Sequence, residues 1–301
     1  MHGSPQSEPR TIPVGTPHQN DHRRWLMTPA NHPLADRIVL VTGAGQGLGK
    51  AVAVAAAAAG ARVILHGRSL KKLERVYDAI AAAGRTAPLL FPLDLNQADD
   101  PSFAAMAHAI DTQFGRLDGL VHCAVALEGL APFSQITLAQ WNEVLRVNLG
   151  ASAALTRACL GLLKASGHGR VIFTLADRGE EPKAYWGAYA ASKAGLAALV
   201  KLLRDEWENE PALGVAGVIP GPVFSPSRIR THPGASLMDL SAVEALAPLY
   251  LELLAGSMHR DEPIIAAQNW LRQRLAPQPP HADAASGCAA CETPPRPPHR
   301  A

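Results

Sequence analysis

The sequence lacks a large net charge, a long apolar run and an apolar segment near its start, and each absence excludes a class of function. The formal net charge is +2 with no basic stripe, so neither nucleic acid nor an anionic membrane is expected as a partner. The longest apolar run, residues 51–59, is about half as long as a membrane span requires. Residues 1–33 contain no apolar core of a secretory signal, and a cytoplasmic protein is therefore expected.

Aromatic residues and cysteines are also scarce. The aromatic share is 5%, against 48% hydrophobic residues in total, and the abundant alanine suits helices that pack tightly on a sheet. Cys123 and Cys159 lie in apolar segments and are interpreted as buried thiols. Cys288 and Cys291 form a single Cys-x-x-Cys near the end of the chain. Because a structural zinc site needs four ligands, and no folded segment is predicted around this pair, no metal site is predicted.

The composition changes at both ends of the chain. Residues 1–33 and 276–301 are rich in proline and show no apolar periodicity, so both segments are expected to be disordered. Met27 lies shortly before the predicted folded region and is an alternative start of translation. The segment between them, residues 34–275, shows no internal repeat and is predicted to form one domain.

Within this domain, short apolar strands alternate with helical patterns. Strands are predicted at residues 37–42, 62–66, 89–93, 117–123, 170–175 and 215–219, with a closing strand near 263–267. Helices are predicted at residues 48–59, 69–83, 103–114, 138–165, 185–208 and 241–255. The strands are continuous apolar runs, which is typical of a sheet covered on both faces. Repeated β-α-β units with right-handed crossovers then predict an α/β protein with a doubly wound parallel sheet, the Rossmann fold.

A glycine-rich loop follows the first predicted strand. Gly43, Gly47 and Gly49 have the spacing G-x-x-x-G-x-G between that strand and the next helix. Glycine permits a sharp turn and a close approach of a pyrophosphate to the main chain, and the helix N-terminus offers free N–H donors. Because the loop lies in the first β-α-β unit, a dinucleotide site is favoured over a plain tight turn.

These residues and several downstream motifs resemble the short-chain dehydrogenase/reductase family, whose phosphate loop is written TGxxxGxG. The resemblance covers roughly residues 34–275, and the stretch at 186–193 is most similar to the YciK-type oxidoreductases of bacteria. It implies that a nicotinamide cofactor is bound by residues of the loop and of the later strand ends. These residues are Gly43, Gln46, Gly47, Leu48, Gly49, Asp94, Leu95, Cys123, Ala124, Lys193, Pro220 and Gly221.

The resemblance also implies a catalytic set of Tyr189, Lys193 and Asn148. Tyr189 and Lys193 form Y-x-x-x-K, so both side chains project from the same face of a helix. The lysine ammonium, helped by the charge of a bound cofactor, is expected to lower the pKa of the tyrosine. The pair would then move a proton to or from a carbonyl or alcohol oxygen while the nicotinamide carbon moves a hydride. Asn148 resembles the helix asparagine that supports a proton relay.

The end of the second strand predicts which cofactor is used. In Rossmann domains an acid at this position binds the ribose hydroxyls of NAD, and an arginine nearby accommodates the 2′-phosphate of NADP. The chain reads His66-Gly67-Arg68-Ser69 here, with no acid. NADP is therefore favoured over NAD, with Arg68 as the phosphate ligand, although Arg68 also suits a plain lead into a polar helix.

The chain departs from the family pattern at several positions. Ala176 stands thirteen residues before the tyrosine, where the family has a serine that donates a hydrogen bond to the substrate oxygen. Losing such a donor typically costs about 10²–10³ in rate. Thr174 is a candidate replacement if the backbone shifts, whereas Asp177 is a poor one because an ionised carboxylate only accepts hydrogen bonds. The family's N-A-G after strand four is Cys-Ala-Val at residues 123–125, and its glycine-rich end of the last strand is replaced by residues 264–270.

Two functions therefore remain open from the sequence. The first is an NAD(P)-dependent oxidoreductase that reduces a carbonyl compound or oxidises an alcohol, its activity reduced or lost through Ala176. The second is a catalytically degenerate nucleotide-binding sensor or scaffold on the same fold. By resemblance, a homodimer or homotetramer is expected. The segment at 223–240, which contains arginine and histidine, fits either a polar or anionic substrate or a solvated mobile lid.

Overall fold

A computed structural model describes residues 32–127, 129–232, 234, 236, 240–256 and 262–275. The expected terminal disorder, Met27 and the Cys288–Cys291 pair lie outside the described residues. In the described part, seven strands form one sheet in the order 3-2-1-4-5-6-7, and every neighbouring pair is parallel. The strands are β1 (Ile38–Thr42), β2 (Arg62–Gly67), β3 (Leu89–Pro92), β4 (Gly119–His122), β5 (Gly169–Thr174), β6 (Leu213–Ile219) and β7 (Ile264–Ala266). The predicted doubly wound parallel sheet is confirmed.

Helices cover both faces of this sheet. They are α1 (Gly47–Ala58), α2 (Leu70–Ala82), α3 (Asp100–Phe114), α4 (Leu138–Leu145), α5 (Ala151–Ala165), α6 (Asp177–Glu180), α7 (Gly187–Glu206), α8 (Pro226–Thr231), α9 (Ala247–Ala255) and α10 (Ala267–Leu275). Local sequence explains several boundaries: the Asp99 side chain accepts a hydrogen bond from the Ser102 amide at the start of α3, and Gly115 ends that helix at φ +66°. No helix in the described part of the chain is long and apolar enough to cross a membrane.

Burial on both faces explains why the strands are continuous apolar runs. Along β1, Val39 and Val41 belong to a core shared with α1, α2 and α9. The alternate residues Ile38 and Leu40 belong to a second core, shared with α3, α5 and α7. Because side chains alternate between the faces of a strand, a sheet that is covered on both sides needs apolar residues at every position.

Three predicted helices differ from the structure. The helix expected at residues 138–165 is interrupted by a π-helical turn, Arg146–Gly150, which carries Asn148. The helix expected at 185–208 begins at Gly187, because Tyr185 has a φ of +75°, which a right-handed helix does not allow. The segment at 241–255 begins with a 3₁₀ turn, Val243–Leu246, before α9. The helices α6, α8 and α10, of four, six and nine residues, were not predicted from the sequence.

The strand order creates the crevice in which the sequence motifs meet. The chain first adds strands on one side of β1 and then resumes on the other side with β4. At such a switch point the loops after the two central strands turn in opposite directions and leave a cleft at the carboxyl edge of the sheet. The glycine-rich loop follows β1 and residues 123–127 follow β4, so both segments border this cleft.

Candidate active site

A cavity of about 470 Å³ lies at the carboxyl edge of the sheet and brings the predicted residues together. Of the predicted catalytic residues, Tyr189 and Lys193 line it and Asn148 does not. Every residue predicted to bind the cofactor also lines it: Gly43, Gln46, Gly47, Leu48, Gly49, Arg68, Asp94, Leu95, Cys123, Ala124, Lys193, Pro220 and Gly221. No cluster of three or more metal-binding side chains occurs in the part of the chain that the structure describes.

The glycine loop is packed so closely that side chains would not fit. A Cβ on Gly49 would lie 2.4 Å from the Gly43 carbonyl oxygen, and one on Gly43 would lie 2.8 Å from the Ala124 backbone. Gly43 and Gly47 both have positive φ, at +68° and +55°. The α1 helix then starts at Gly47, and its N-cap residue Gln46 makes no side-chain capping bond to the helix. The loop therefore fits the pyrophosphate of a dinucleotide, with main-chain N–H groups left to bind it.

The polar end of the cavity lies beyond β2. Arg68 is exposed there, and the Lys72 ammonium donates a hydrogen bond of 2.6 Å to the Gln46 side chain. Asp94 accepts a hydrogen bond of 3.0 Å from the Asn96 amide, which orders the turn after β3. No acidic residue follows β2 directly, as the sequence indicated, and this end of the cavity is cationic around Arg68 and Lys72.

The turn after β4 is held by a threonine of β1. The Thr42 hydroxyl oxygen accepts hydrogen bonds of 3.1 Å from the amides of both Cys123 and Ala124. Val125 lies outside the left-handed backbone region, so this turn needs no glycine at that position. The Cys-Ala-Val sequence at 123–125 is accordingly compatible with a closed cofactor pocket.

Asn148 is buried beneath this turn, and its side-chain amide makes hydrogen bonds through both its oxygen and its nitrogen. Its Oδ1 accepts a hydrogen bond of 2.7 Å from the Ala126 amide, and its Nδ2 donates bonds to the Ala126 carbonyl (2.9 Å) and to the Ser192 hydroxyl (3.0 Å). Ser192 in turn donates to the Tyr189 carbonyl, at 2.7 Å. The side-chain amide of Asn148, which lies in the π-helical turn, thus connects the loop after β4 to α7, the helix that carries Tyr189.

The expected lowering of the Tyr189 pKa is not found in the protein without cofactor. Burial raises the pKa of Tyr189, and the Asp177 carboxylate raises it further, although Arg178 opposes this. Burial also lowers the pKa of Lys193 to about 8, so its ammonium is weakened as a partner. The Lys193 Nζ donates a hydrogen bond of 2.7 Å to the Thr174 carbonyl and lies 5.7 Å from the Tyr189 ring centre. Desolvation is therefore the largest effect on the pKa of this tyrosine.

The chain is similar to known proteins in sequence and in fold. A family model for the short chain dehydrogenases matches residues 37–234. The chain belongs to this family. It is 35% identical over 227 residues to the uncharacterized oxidoreductase YciK of Escherichia coli K12, a match that covers 75% of this chain and 89% of that protein.

Solved structures of short chain dehydrogenases superpose well on this chain. The one from Salmonella enterica serovar Typhi CT18 has a TM-score of 0.76 at 35% identity, covering 80% of this chain and 100% of that chain. One from Escherichia coli CFT073, complexed with NADPH, has a TM-score of 0.74 at 35% identity, covering 79% of this chain and 99% of that one. The resemblance inferred from the sequence motifs is confirmed.

This short chain dehydrogenase has no hydroxyl at the position of the family serine. Ala176 directly precedes α6 and lines the cavity, and it carries no donor. The Thr174 hydroxyl, suggested as its replacement, lies 3.0 Å from the Tyr250 hydroxyl of α9 and 3.3 Å from the Cys123 sulfur. Thr174 lines the cavity as well, but its hydroxyl is engaged by Tyr250 and Cys123 on the side of the sheet that α9 covers.

Gln268 of α10 supports the turn after β6, in a part of the chain where the family glycines are absent. Its Nε2 donates a hydrogen bond of 2.9 Å to the Pro220 carbonyl. A Cβ on Gly221, which has a φ of +69°, would lie 2.6 Å from the Gln268 side chain. The substituted C-terminal segment therefore buttresses the Pro220–Gly221 turn directly.

Two residues of the cavity were missed by sequence reasoning. His66 on β2 is buried and lines the nucleotide end, and Arg178 on α6 lines the end near Tyr189. Neither belongs to a spaced motif. The alternation of β2 alone indicates which face His66 occupies, and Arg178 enters the site only because α6 packs against α7 so closely that a Cβ on Gly179 would lie 2.7 Å from the Lys193 backbone.

Proposed function

We propose that this short chain dehydrogenase is an NADP(H)-dependent oxidoreductase that reduces a carbonyl compound to an alcohol. The observation that carries the proposal is the single cavity shared by the glycine loop, Arg68, Tyr189 and Lys193. The nicotinamide of a bound cofactor supplies the hydride. The glycine loop holds the pyrophosphate, and Lys193 lies in position to contact the ribose once its bond to the Thr174 carbonyl is exchanged.

Tyr189 acts as the proton donor in this proposal. The phenol of Tyr189 is protonated at neutral pH, which is the form that gives its proton to the oxygen of a carbonyl that receives a hydride. Oxidation of an alcohol requires the phenolate as base, and burial disfavours that form. The protonation state therefore matches the reductive direction. Asn148 serves as a positioning residue, since its side chain binds Ala126 and Ser192 and does not line the cavity.

The preference for NADP(H) rests on Arg68 and on the missing acid after β2. The exposed Arg68 guanidinium, with Lys72 nearby, suits a 2′-phosphate, and the solved relative from Escherichia coli CFT073 is complexed with NADPH. Calorimetry tests this preference by giving the dissociation constants of NADH and NADPH, whose ratio is then compared. We expect tighter binding of NADPH, and an Arg68→Gln variant should lose that preference; tighter binding of NADH by the wild type contradicts the assignment.

The activity itself is tested by NADPH oxidation against a panel of aldehydes and ketones. The wild type should turn over at least one of them, and Tyr189→Phe should lose that turnover while it keeps the affinity for NADPH. The same substitution at Tyr77, a half-buried residue of α2 that lies outside the cavity, is the matched control. Turnover that survives in Tyr189→Phe removes the tyrosine from the mechanism.

A nucleotide-binding sensor or scaffold is the second candidate, and Ala176 is the observation that favours it. No hydroxyl replaces the serine there, because Thr174 is held by Tyr250. NADPH binding without turnover of any carbonyl compound, in both the wild type and Ala176→Ser, supports this candidate over the enzyme.

We also propose that the protein forms a homo-oligomer. Phe133, in a 3₁₀ turn before α4, and Leu138, the first residue of α4, expose 76% and 74% of their surface, and Leu202 on α7 exposes 51%. Apolar side chains of this size are usually covered when they cluster on one surface. Light scattering after size exclusion gives the oligomeric state, and a monomer at micromolar concentration contradicts the proposal.

A further inference from the structure

Three arginines from two short helices line the large cavity. Arg178 lies on α6, and Arg228 and Arg230 lie on α8, whose first residue Pro226 lies beside the glycine loop. Two carboxylates of the same lining oppose them, Asp177 and Glu143. The three arginines outnumber these two acids, so the cavity favours anionic groups, both of a cofactor and of a substrate.

The arginine closest to the catalytic helix is Arg178. Its guanidinium carbon lies 5.5 Å from the centre of the Trp186 ring, and that ring lies 5.4 Å from the Tyr189 ring. Only 20% of the Arg178 side chain is exposed, and its Nη1 lies 3.4 Å from the half-exposed Asp177 carboxylate. Its Nε is buried and has no hydrogen-bond partner among the described residues. Because the contact with Asp177 uses one Nη and a fifth of the side chain stays exposed, Arg178 can still donate hydrogen bonds to a ligand in the cavity.

The local field agrees with a cationic site. The Trp186 ring also contacts His232, at 5.9 Å between ring centres. Burial, then Arg228, then Arg178 lower the pKa of His232, and Asp177 opposes them. The two arginine charges thus reach His232 together and outweigh the carboxylate, although Asp177 is the direct partner of Arg178.

Arg228 and Arg178 both act on His232, but their other neighbours differ. A Cβ on Gly47 would lie 3.6 Å from Pro226 of α8, so the start of α8 sits beside the phosphate loop. Arg228 is therefore placed to meet the phosphates of the cofactor. Arg178 follows β5 and packs on Trp186, at the end of the cavity near Tyr189 where the substrate carbonyl must lie.

A second, smaller cavity adjoins this end. It holds about 210 Å³ and shares Leu127, Trp186 and Tyr189 with the large cavity. Most of its remaining lining is apolar: Leu130, Ala131, Ile136, Val144 and Ala188. The Arg230 Nη1 donates a hydrogen bond of 2.7 Å to the Leu127 carbonyl and holds α8 against the entrance between the two cavities.

We propose that the substrate is a carbonyl compound with a carboxylate group, which Arg178 binds, and with an apolar body that enters the smaller cavity. This inference rests on the proposed reductase function, because the carbonyl must lie beside Tyr189. In this proposal Arg178 determines substrate specificity. Its guanidinium N–H groups donate to the carboxylate, and the Trp186 ring holds the guanidinium in position at the cavity wall. Arg228 remains with the cofactor.

The test uses aryl oxo-carboxylates with one to four carbons between the ketone and the carboxylate, each paired with its methyl ester. Binding to the protein loaded with NADP⁺ is measured by calorimetry, and turnover by NADPH absorbance. The wild type should bind at least one acid about 10- to 100-fold more tightly than its ester, as expected for a charge-assisted hydrogen bond. Arg178→Gln should abolish this difference and leave ester binding and NADPH affinity unchanged.

Arg178→Lys keeps the charge and should retain part of the preference, which guards against a folding defect in Arg178→Gln. Arg75→Gln, on the exposed face of α2 away from both cavities, is the matched control and should behave as the wild type. Equal binding of acids and esters by the wild type, or a preference that survives Arg178→Gln, overturns the inference. Turnover of neutral ketones alone overturns it and supports the reductase. Acids that bind through Arg178 without any turnover contradict the reductase and leave the anion site standing.

Discussion

His66 lies in β2 with 1% of its surface exposed, and this burial has a consequence for stability at low pH. Burial lowers the pKa of its imidazole from 6.5 to about 4, and the nearby Leu93 backbone and the charge of Asp94 oppose this only in part. The folded chain therefore holds His66 neutral at a pH where the unfolded chain already binds a proton there. Since the folded pKa is the lower one, stability is full above pH 6.5 and falls as the pH drops toward 4.

The magnitude follows from the two pKa values. At pH 5.0 the unfolded histidine is almost fully protonated and the folded one is mostly neutral, which costs about 2 kcal/mol of unfolding free energy relative to pH 7.5. Well below pH 4 the full difference is worth about 3 kcal/mol. His122 on β4 adds a loss of similar size, because burial lowers its pKa to about 3. Such losses are large against the marginal stability of a single domain.

Urea unfolding at pH 7.5 and pH 5.0 measures this contribution in the wild type and in His66→Gln, which keeps a polar side chain and cannot bind a proton. The variant should lose about 2 kcal/mol less than the wild type between the two pH values. His108→Gln, at an exposed position on α3, leaves both buried rings in place and should follow the wild type. If wild type and His66→Gln lose the same free energy, the buried neutral imidazole is not a source of acid sensitivity.

The remaining predictions concern the site. Ala176→Ser should raise kcat for the best carbonyl substrate by about 10²-fold; an unchanged rate in NADPH assays means that the missing hydroxyl does not limit the reaction. Gly49→Ala should weaken NADPH binding at least about tenfold, because its Cβ would lie 2.4 Å from the Gly43 carbonyl oxygen, whereas Gly161→Ala on open helix surface should not change the calorimetric affinity. Asn148→Ala should lower the unfolding free energy by about 1–3 kcal/mol through the unpaired Ala126 backbone, and equal urea midpoints would show that this loop needs no tie.

The glycine loop could be predicted from the sequence because its pattern is local. The spacing of Gly43, Gly47 and Gly49 is read along a few consecutive residues, and each glycine is required by a backbone contact or a positive φ. The Y-x-x-x-K pair is local in the same sense, since one helical turn places both side chains on one face. The doubly wound parallel sheet was predictable as well, because right-handed crossovers between continuous apolar strands leave few arrangements.

The rest depends on contacts between residues far apart in the chain. Thr174 and Tyr250 are 76 positions apart, so only the folded sheet decides that the threonine hydroxyl is taken and unable to replace the serine. The pKa of Tyr189 likewise depends on how deeply its phenol is buried, and burial raises it. The sequence by itself determined the fold, the glycine loop and the Y-x-x-x-K pair. Only the tertiary structure brought Arg178 to Trp186 and Tyr189, because the close packing of α6 on α7 leaves no pattern in residue spacing.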